Sequence, residues 1–242
     1  MLSPEDIYRI ILIAPALLLS LTVHEYAHAR TALAFGDPTA KLQGRVTLNP
    51  LAHLDPIGTI VLILSQFIGW AKPVPVNPMN LRPRRLGDIM VSLAGPLSNL
   101  SLAVVCGLVL RGMWAWVGLP GAGNDVGTTA LRYTYVILFV TMLANIGLGI
   151  FNLIPLFPLD GHHILRESLP TVDQRTNFMA WQVRYGVVVL AALIFMPRLL
   201  SMVLHRETFS PVGWLYGVVA GFALNLFGLW QPYSYISSLA PS

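Results

Sequence analysis

A long apolar run near the start of the chain contains two histidines and an acidic residue. Residues 7–23 are mostly apolar, the sequence His-Glu-Tyr-Ala-His follows at positions 24–28, and apolar character then resumes as far as Phe35. A helix of this length and composition is typical of a membrane span. Ionisable side chains at membrane depth are costly and usually face a bundle interior or a water-filled cavity, so they indicate a functional site.

The composition of the whole chain favours a membrane protein. Of the 242 residues, 55% are hydrophobic and 11% are charged, whereas about 25% are charged in an average soluble domain. We expect one integral membrane domain over residues 1–242, because this length suits a few helices rather than two independent domains. The first apolar run is too long for a signal-peptide core and carries the motif itself, so it is predicted to be retained. The scattered Lys and Arg residues argue against a nucleic-acid groove.

The sequence predicts an all-α integral membrane protein with five transmembrane helices. The apolar segments long enough for a crossing, at about twenty residues each, are residues 7–34, 86–117, 131–153, 178–203 and 212–230. A sixth run, residues 57–70, is short and lies between prolines, so it fits a re-entrant segment or a crossing.

The distribution of basic residues favours the re-entrant alternative. Nine of the fifteen Lys and Arg residues lie in three of the connections, whereas residues 118–130 contain none. If the three basic connections share the cytoplasmic side, the short run enters and leaves by that side. The N-terminus is then outside and the C-terminus inside.

A small β-hairpin is predicted after the first helix. Residues 38–50 show a short apolar alternation that is interrupted at Gln43 and Gly44, and such a pattern is typical of two strands joined by a turn. A hairpin beside a site could pair with an extended peptide by strand addition. An ordered loop that only covers the end of the helix is the alternative.

The motif at 24–28 predicts a metal site that needs one more ligand. Positions i and i+4 share a helix face, so both imidazoles can reach one ion while Glu25 lies near a metal-bound water. Catalytic zinc has three protein ligands and keeps a fourth position open. Asp160 stands out among the remaining acids, because Pro155 and Pro158 break the helix before it and Gly161 follows it. Broken backbone at membrane depth is tolerated mainly where it lines a cavity.

Three motifs together resemble the site-2 protease family of intramembrane zinc metalloproteases. They are His-Glu-x-x-His at 24–28, Ala-Gly-Pro-Leu-Ser-Asn at 94–99 and Asn-x-x-Pro-x-x-Pro-Leu-Asp-Gly at 152–161. The chain is most similar to the short bacterial and archaeal members without an inserted PDZ domain, and residues 36–58 and 70–77 also resemble those members. The motif-bearing core covers about residues 7–165, and the two C-terminal helices at about 178–230 carry no recognisable motif.

The resemblance implies a ligand set and a mechanism. His24, His28 and Asp160 are expected to bind one Zn²⁺ per chain, which lowers the pKa of bound water to about 7. Glu25 is expected to accept the proton of this water as it attacks a peptide carbonyl, and then to pass the proton to the leaving amine.

Several other polar residues have two interpretations. By resemblance, Asn152 and Asn99 contact the substrate backbone or the oxyanion, but each could instead be an interhelical hydrogen-bonding group. His53 is either a neighbour of the site or an ordinary loop histidine. His162 and His163 follow the Leu-Asp-Gly motif, but they are not predicted ligands because three are already present.

The leading hypothesis is an intramembrane zinc endopeptidase that cleaves membrane-protein substrates in or near their transmembrane segments. It is expected in a prokaryotic cell membrane, with the active site nearer the cytoplasmic face, and its partners are a substrate helix and the lipid bilayer. Residues 57–70 and the Pro-rich connection 72–83 are predicted to form a gate. A proton- or ion-translocating protein is the first alternative, since intramembrane His, Glu and Asp also build relays. A non-catalytic zinc scaffold is the second alternative.

Overall fold

Helices account for all the regular structure in the part of the chain that the structure describes. This computed structural model describes residues 4–65, 70–117, 126–204 and 208–230, and the all-α prediction is confirmed for these ranges. The α-helices are α1 (Pro4–Ala34), α2 (Thr39–Leu42), α3 (Pro56–Ser65), α4 (Arg84–Val117), α5 (Val126–Asn152), α6 (Asp160–Ser168), α7 (Val172–Trp181), α8 (Val187–Leu204) and α9 (Pro211–Phe227). A short π-helical segment, Gln182–Gly186, joins α7 to α8.

The predicted β-hairpin after α1 is wrong. The one-turn helix α2 and the 3₁₀ turn Pro50–Ala52 occupy this region instead. The side chain of Asp37 explains the difference, because its Oδ1 accepts hydrogen bonds from the backbone N–H and the hydroxyl of Thr39 and so starts a helical turn. Gly44 does reverse the chain, with φ of 68°, but it follows a helical turn rather than a strand.

Within the ranges that the structure describes, three helical segments are long and apolar enough to cross a membrane. They are Arg84–Trp116, Gly127–Asn152 and Val172–Leu204, and α9 is a shorter apolar helix. The chain is therefore a membrane protein by helix length and composition, although the predicted count of five spans is not reproduced.

The other predicted membrane segments differ in length or are described in part. Helix α9 has 17 residues, about 26 Å, and ends at Gly228 in the left-handed conformation. In α1, the side chains of residues 4–13 lie outside the described part of the chain. The short run at 57–70 overlaps α3, which begins at Pro56, but residues 66–69 lie outside the described ranges, so its re-entry stays a prediction.

The three helices α1, α4 and α5 pack on one another and form the centre of the bundle. Apolar side chains of α4, α5 and α9 form the largest buried cluster, which includes the single cysteine, Cys106. On the opposite face of α4, where α1 packs, buried Ser20, Asn99 and Asn145 meet. The bundle therefore has an apolar side and a polar interior next to the motif helix.

The end of α1 and the start of α4 lie at the same face of the molecule. The carbonyl of Phe35 accepts a hydrogen bond of 2.8 Å from the backbone N–H of Arg82. Asp37 accepts hydrogen bonds from Asn80 and from the backbone of Asn77. Burial raises the pKa of Asp37, but these hydrogen bonds and those from Thr39 outweigh it and hold the pKa below its ordinary value. This ionised cap fixes the connection that leads back to the site.

Candidate metal centre

The three predicted ligands converge on one point. His24 and His28 lie one turn apart on α1, and their Nε2 atoms are 3.0 Å from each other. Asp160 is the first residue of α6, and its two carboxylate oxygens lie 3.3 Å from Nε2 of His24 and 3.4 Å from Nε2 of His28. Within the described ranges, these are the residues whose arrangement could hold a metal ion.

The spacing and the chemistry of these atoms fit zinc. Four ligands at about 2.0–2.1 Å in a tetrahedron lie about 3.3 Å from one another, close to the distances found here. Oδ2 of Asp160 is buried and receives no hydrogen bond from the described residues. A cation would satisfy this oxygen, whereas a buried carboxylate oxygen without a partner is costly.

A hydrogen bond to a backbone carbonyl determines which ring nitrogen of His28 carries the proton. Its Nδ1 lies 2.7 Å from the carbonyl oxygen of Val91 in α4. A carbonyl can only accept a hydrogen bond, so Nδ1 carries the proton and a neutral ring has its lone pair on Nε2. This lone pair is directed at His24 and Asp160, as a metal ligand requires.

Two buried asparagines that are hydrogen-bonded to each other determine in the same way which ring nitrogen of His24 carries the proton. Nδ1 of His24 lies 2.6 Å from Oδ1 of Asn99. The amide of Asn99 cannot be reversed, because its nitrogen donates to the carbonyl of Ser20 at 3.1 Å and to Oδ1 of Asn145 at 2.7 Å. Asn145 is oriented in turn by the carbonyl of Thr141, which accepts from its amide nitrogen. His24 therefore donates from Nδ1 and keeps a free lone pair on Nε2.

Asn145 is therefore expected to affect metal binding without contacting the ligands. An Asn145→Leu variant removes the acceptor that orients Asn99, and zinc affinity should fall about 10–100-fold, as it does when outer-shell partners are lost. Competition with a chelating dye on the purified protein measures this affinity.

The matched control is Thr141→Val, because the hydroxyl of Thr141 donates only within α5, to the carbonyl of Ile137. Zinc affinity of this control should stay within twofold of the wild type. An Asn145→Leu protein that folds and binds zinc as tightly as this control would contradict the role of the asparagine chain.

Two glycines of the motifs allow close approach of backbone and ligands. A Cβ atom at position 95 would lie 2.3 Å from Nε2 of His28, so Gly95 lets α4 pack directly against the imidazoles. A Cβ atom at position 161 would lie 2.3 Å from the carbonyl oxygen of Leu153. Gly161 therefore lets the start of α6 pack against the broken end of α5, which places Asp160 at the site.

A glutamine of the π-helical segment holds the loop before Asp160. Oε1 of Gln182 accepts a hydrogen bond of 2.8 Å from the backbone N–H of Phe157, and its amide nitrogen donates to the carbonyl of Pro155 at 2.8 Å. Gln182 is 1% exposed. Because buried backbone groups need partners, this side chain stabilises a non-helical loop inside the protein. No sequence pattern predicts this role, since Gln182 lies outside every motif.

A cavity of about 590 Å³ opens beside the three ligands. Its polar lining residues are His24, Glu25, His28, Asp88, Ser92, Asn152, Asp160 and His163. Oε2 of Glu25 accepts a hydrogen bond of 2.9 Å from the backbone N–H of Val74. The predicted base thus lies in the same cavity as the ligands.

The two predicted asparagines differ in placement. Asn152 lines the cavity, and its side-chain amide donates to the carbonyl of Leu148 within α5. Asn99 is fully buried behind His24, and this placement favours a role through His24 over contact with a substrate. His163 also lines the cavity, whereas Nε2 of His53 is engaged by the carbonyl of Thr47.

The described part of the chain combines apolar helices of membrane-spanning length with three side chains, His24, His28 and Asp160, that could hold a metal ion. Comparisons with known proteins agree with this combination. The family model described as peptidase family M50 matches residues 121–196. YwhC of Bacillus subtilis is 41% identical over 181 residues, which cover 75% of this chain and 78% of that protein. Rip2 of Mycolicibacterium smegmatis is 32% identical over 219 residues, which cover 85% of this chain and 73% of that protein. Both are named as candidate zinc metalloproteases.

A more distant relative is a zinc metalloprotease of Methanocaldococcus jannaschii, 27% identical over 153 residues, which cover 63% of this chain and 33% of that protein. The comparison with solved structures gave no match. The chain belongs to peptidase family M50, and the resemblance to the site-2 protease family is confirmed.

Proposed function

We propose that this protein is a zinc endopeptidase that cleaves membrane-protein substrates in or near their transmembrane segments. The observation that carries the proposal is the convergence of His24, His28 and Asp160 from two separate helices, at the separations of tetrahedral zinc ligands. The names of the M50 relatives support zinc as the metal. The apolar helices around the site support a substrate that lies in the membrane.

Glu25 is proposed as the general base. It follows the first ligand in α1 and lines the same cavity as all three ligands. His24, His28 and Asp160 would hold the zinc, which when bound would supply Lewis-acid chemistry for the peptide carbonyl and for water. Glu25 accepts the proton of the attacking water and returns it to the amine that leaves. Asn152, in the cavity wall, is proposed to bind the substrate backbone or to stabilise the developing oxyanion through the amide hydrogen that does not bond to Leu148.

The depth of the site explains the demands on a substrate. His28 lies six residues before the end of α1 at Ala34, about 9 Å along the helix axis. Water is proposed to reach this depth through the cavity, which has the polar lining that water needs. A substrate helix must unwind locally, because its carbonyls are otherwise engaged in hydrogen bonds to N–H groups four residues on.

The extended segment of residues 70–76 is proposed to be part of a gate. Residues of this segment line the cavity, and the backbone N–H of Val74 donates a hydrogen bond to the carboxylate of Glu25. Lys72 also holds the segment in place: its backbone N–H donates a hydrogen bond to the carbonyl of His53, and its backbone carbonyl accepts one from the side chain of Arg45. A substrate in contact with Glu25 must displace Val74, so the segment has to move before cleavage.

A disulfide across the bridge between Leu54 and Ala71 tests this gate. These two residues form an antiparallel bridge, and directly opposed residues of such a pair have Cα atoms about 4.5–5.5 Å apart, within the range for a disulfide. A Leu54→Cys, Ala71→Cys protein with Cys106→Ala should cleave a membrane substrate about tenfold more slowly when oxidised, because opening is restricted. A reducing agent should restore the rate. Equal rates in both redox states would rule out movement of this end of the segment.

A comparison of membrane-protein fragments tests the proposed function itself. Cells that express the wild-type protein should contain membrane-protein fragments that are missing from cells that express Glu25→Gln at the same level. In proteoliposomes, a client identified this way should be cut by the purified protein, chelation should stop the cut, and zinc should restore it. Identical fragment patterns, or proton flux through the protein without bound zinc, would contradict a protease and favour an ion-translocating protein.

A further inference from the structure

A second cavity, of about 800 Å³, lies at the face where α4 and α7 begin. Its charged lining residues are Arg84, Arg85, Arg166, Arg175, Arg184 and Glu167. Five guanidinium groups against one lining carboxylate make this groove strongly positive. We call it the arginine groove.

Two of its arginines serve the fold. Arg166 donates to Asp88 at 2.5 Å and to Glu167 at 2.8 Å, and Arg85 donates to the carbonyls of Glu167 and Leu169. These contacts join α4 to α6, and the ion pairs of Arg166 and Arg85 neutralise the carboxylates of Asp88 and Glu167.

Arg84 and Arg184 are exposed, and no ion pair involves either within the described ranges. Arg184 stacks over the ring of Tyr185 at 5.2 Å. Arg175 donates to the carbonyl of Leu169 at 2.8 Å, so its charge is also not neutralised by an acid. The positive charge of the groove therefore comes mainly from these three residues.

The groove lies where apolar helices begin. The apolar helix α8 starts at Val187, three residues after Arg184, and only 6% of the apolar window in this span is buried. Side chains that face outward from a membrane span contact lipid chains. The exposed side chains of Val172 and Val183, 67% and 61% accessible, also line the groove. Charged and apolar side chains thus line the same groove next to the start of an apolar helix, a combination that suits the headgroup and the first part of the acyl chains of a lipid.

We propose that the arginine groove binds the headgroup of an acidic phospholipid. Arg84, Arg175 and Arg184 hold the phosphate, for which guanidinium groups are suited by charge and by their paired donors. The acyl chains follow the outward face of α8. This site is separate from the metal centre and independent of the proposed peptidase activity.

Lipid binding by the purified full-length protein tests this proposal. The protein is placed in phosphatidylcholine nanodiscs that contain added phosphatidylglycerol and is then released into detergent. Native mass spectrometry should detect phosphatidylglycerol that is still bound to the wild-type protein. Arg84→Gln with Arg184→Gln should weaken retention by about fivefold per removed charge at low salt. The control is Arg111→Gln, an exposed arginine near the other end of α4, and it should retain lipid as the wild type does.

A charge-preserving variant keeps the test independent of folding defects. Arg84→Lys with Arg184→Lys should retain phosphatidylglycerol within about threefold of the wild type, because attraction to the headgroup persists. Equal retention of phosphatidylcholine and phosphatidylglycerol would overturn the proposal, as would unchanged retention in the double Gln variant. Competition by inorganic phosphate, or by an acidic peptide, at the same concentration as the lipid would also overturn it and would indicate a soluble anion or a protein segment as the ligand.

Discussion

Replacement of Glu25 by Gln is expected to abolish peptide cleavage while zinc stays bound. Glutamine has nearly the same size, and its carbonyl oxygen can still accept the hydrogen bond from the N–H of Val74, but it cannot take a proton from water. General-base catalysis contributes about 10²–10⁴-fold to a rate, so the cleavage rate should fall by at least about 10²-fold. The rate with a membrane-protein client and the zinc content of the same preparation measure the two effects.

The matched control for this variant is Glu167→Gln, which removes a carboxylate outside the metal-site cavity. It should cleave at a rate within a few fold of the wild type. A Glu25→Gln protein that keeps more than a tenth of the wild-type rate would exclude Glu25 as the base and would indicate another proton acceptor in the cavity.

Replacement of Asp160 by Ala is expected to remove zinc and activity together. The carboxylate oxygens of Asp160 complete the set of ligand atoms with Nε2 of His24 and His28. Because loss of an outer-shell partner already weakens metal binding about 10–100-fold, loss of a direct ligand should weaken it by more than about 100-fold. Dye competition gives the zinc affinity, and the cleavage assay gives the rate.

An exposed acid in the first turn of α7 provides the control for Asp160. Asp173→Ala removes the same charge from a helix start that does not line the metal-site cavity, so zinc affinity should be unchanged. If Asp160→Ala were to bind zinc as tightly as Asp173→Ala, the ligand assignment would be refuted, whatever happened to the cleavage rate.

The convergence of His24, His28 and Asp160 could be predicted from sequence, because local geometry dictates most of it. The four-residue spacing of His24 and His28 puts both rings on one helix face in any α-helix. Asp160 was identifiable because Pro155 and Pro158 end a membrane helix just before it, and a carboxylate at such a break has few ordinary roles. The two motif glycines now have a physical reason, since each lies where a Cβ atom would collide with a ligand or with backbone.

Other features depend on packing that no local pattern encodes. Asn145 and Gln182 act through buried hydrogen bonds to residues 46 and 25 positions away, and neither lies in a motif. The hairpin prediction failed because one side chain, Asp37, favours a helical turn over the strand that the alternation of apolar residues suggested. Two of the five predicted spans are not among the three long apolar segments. Helix α9 has only 17 residues, and in α1 the side chains of residues 4–13 lie outside the described part of the chain.

Zinc spectroscopy on the purified protein shows whether His24, His28 and Asp160 together hold one zinc ion. X-ray absorption at the zinc edge of the wild type should show one zinc per chain with nitrogen and oxygen ligands only, including two imidazoles, and the zinc should be lost in Asp160→Ala. Absence of stoichiometric zinc would contradict the proposed zinc site. A sulfur ligand from Cys106, or a zinc environment that is identical in the Asp160→Ala variant, would contradict it equally.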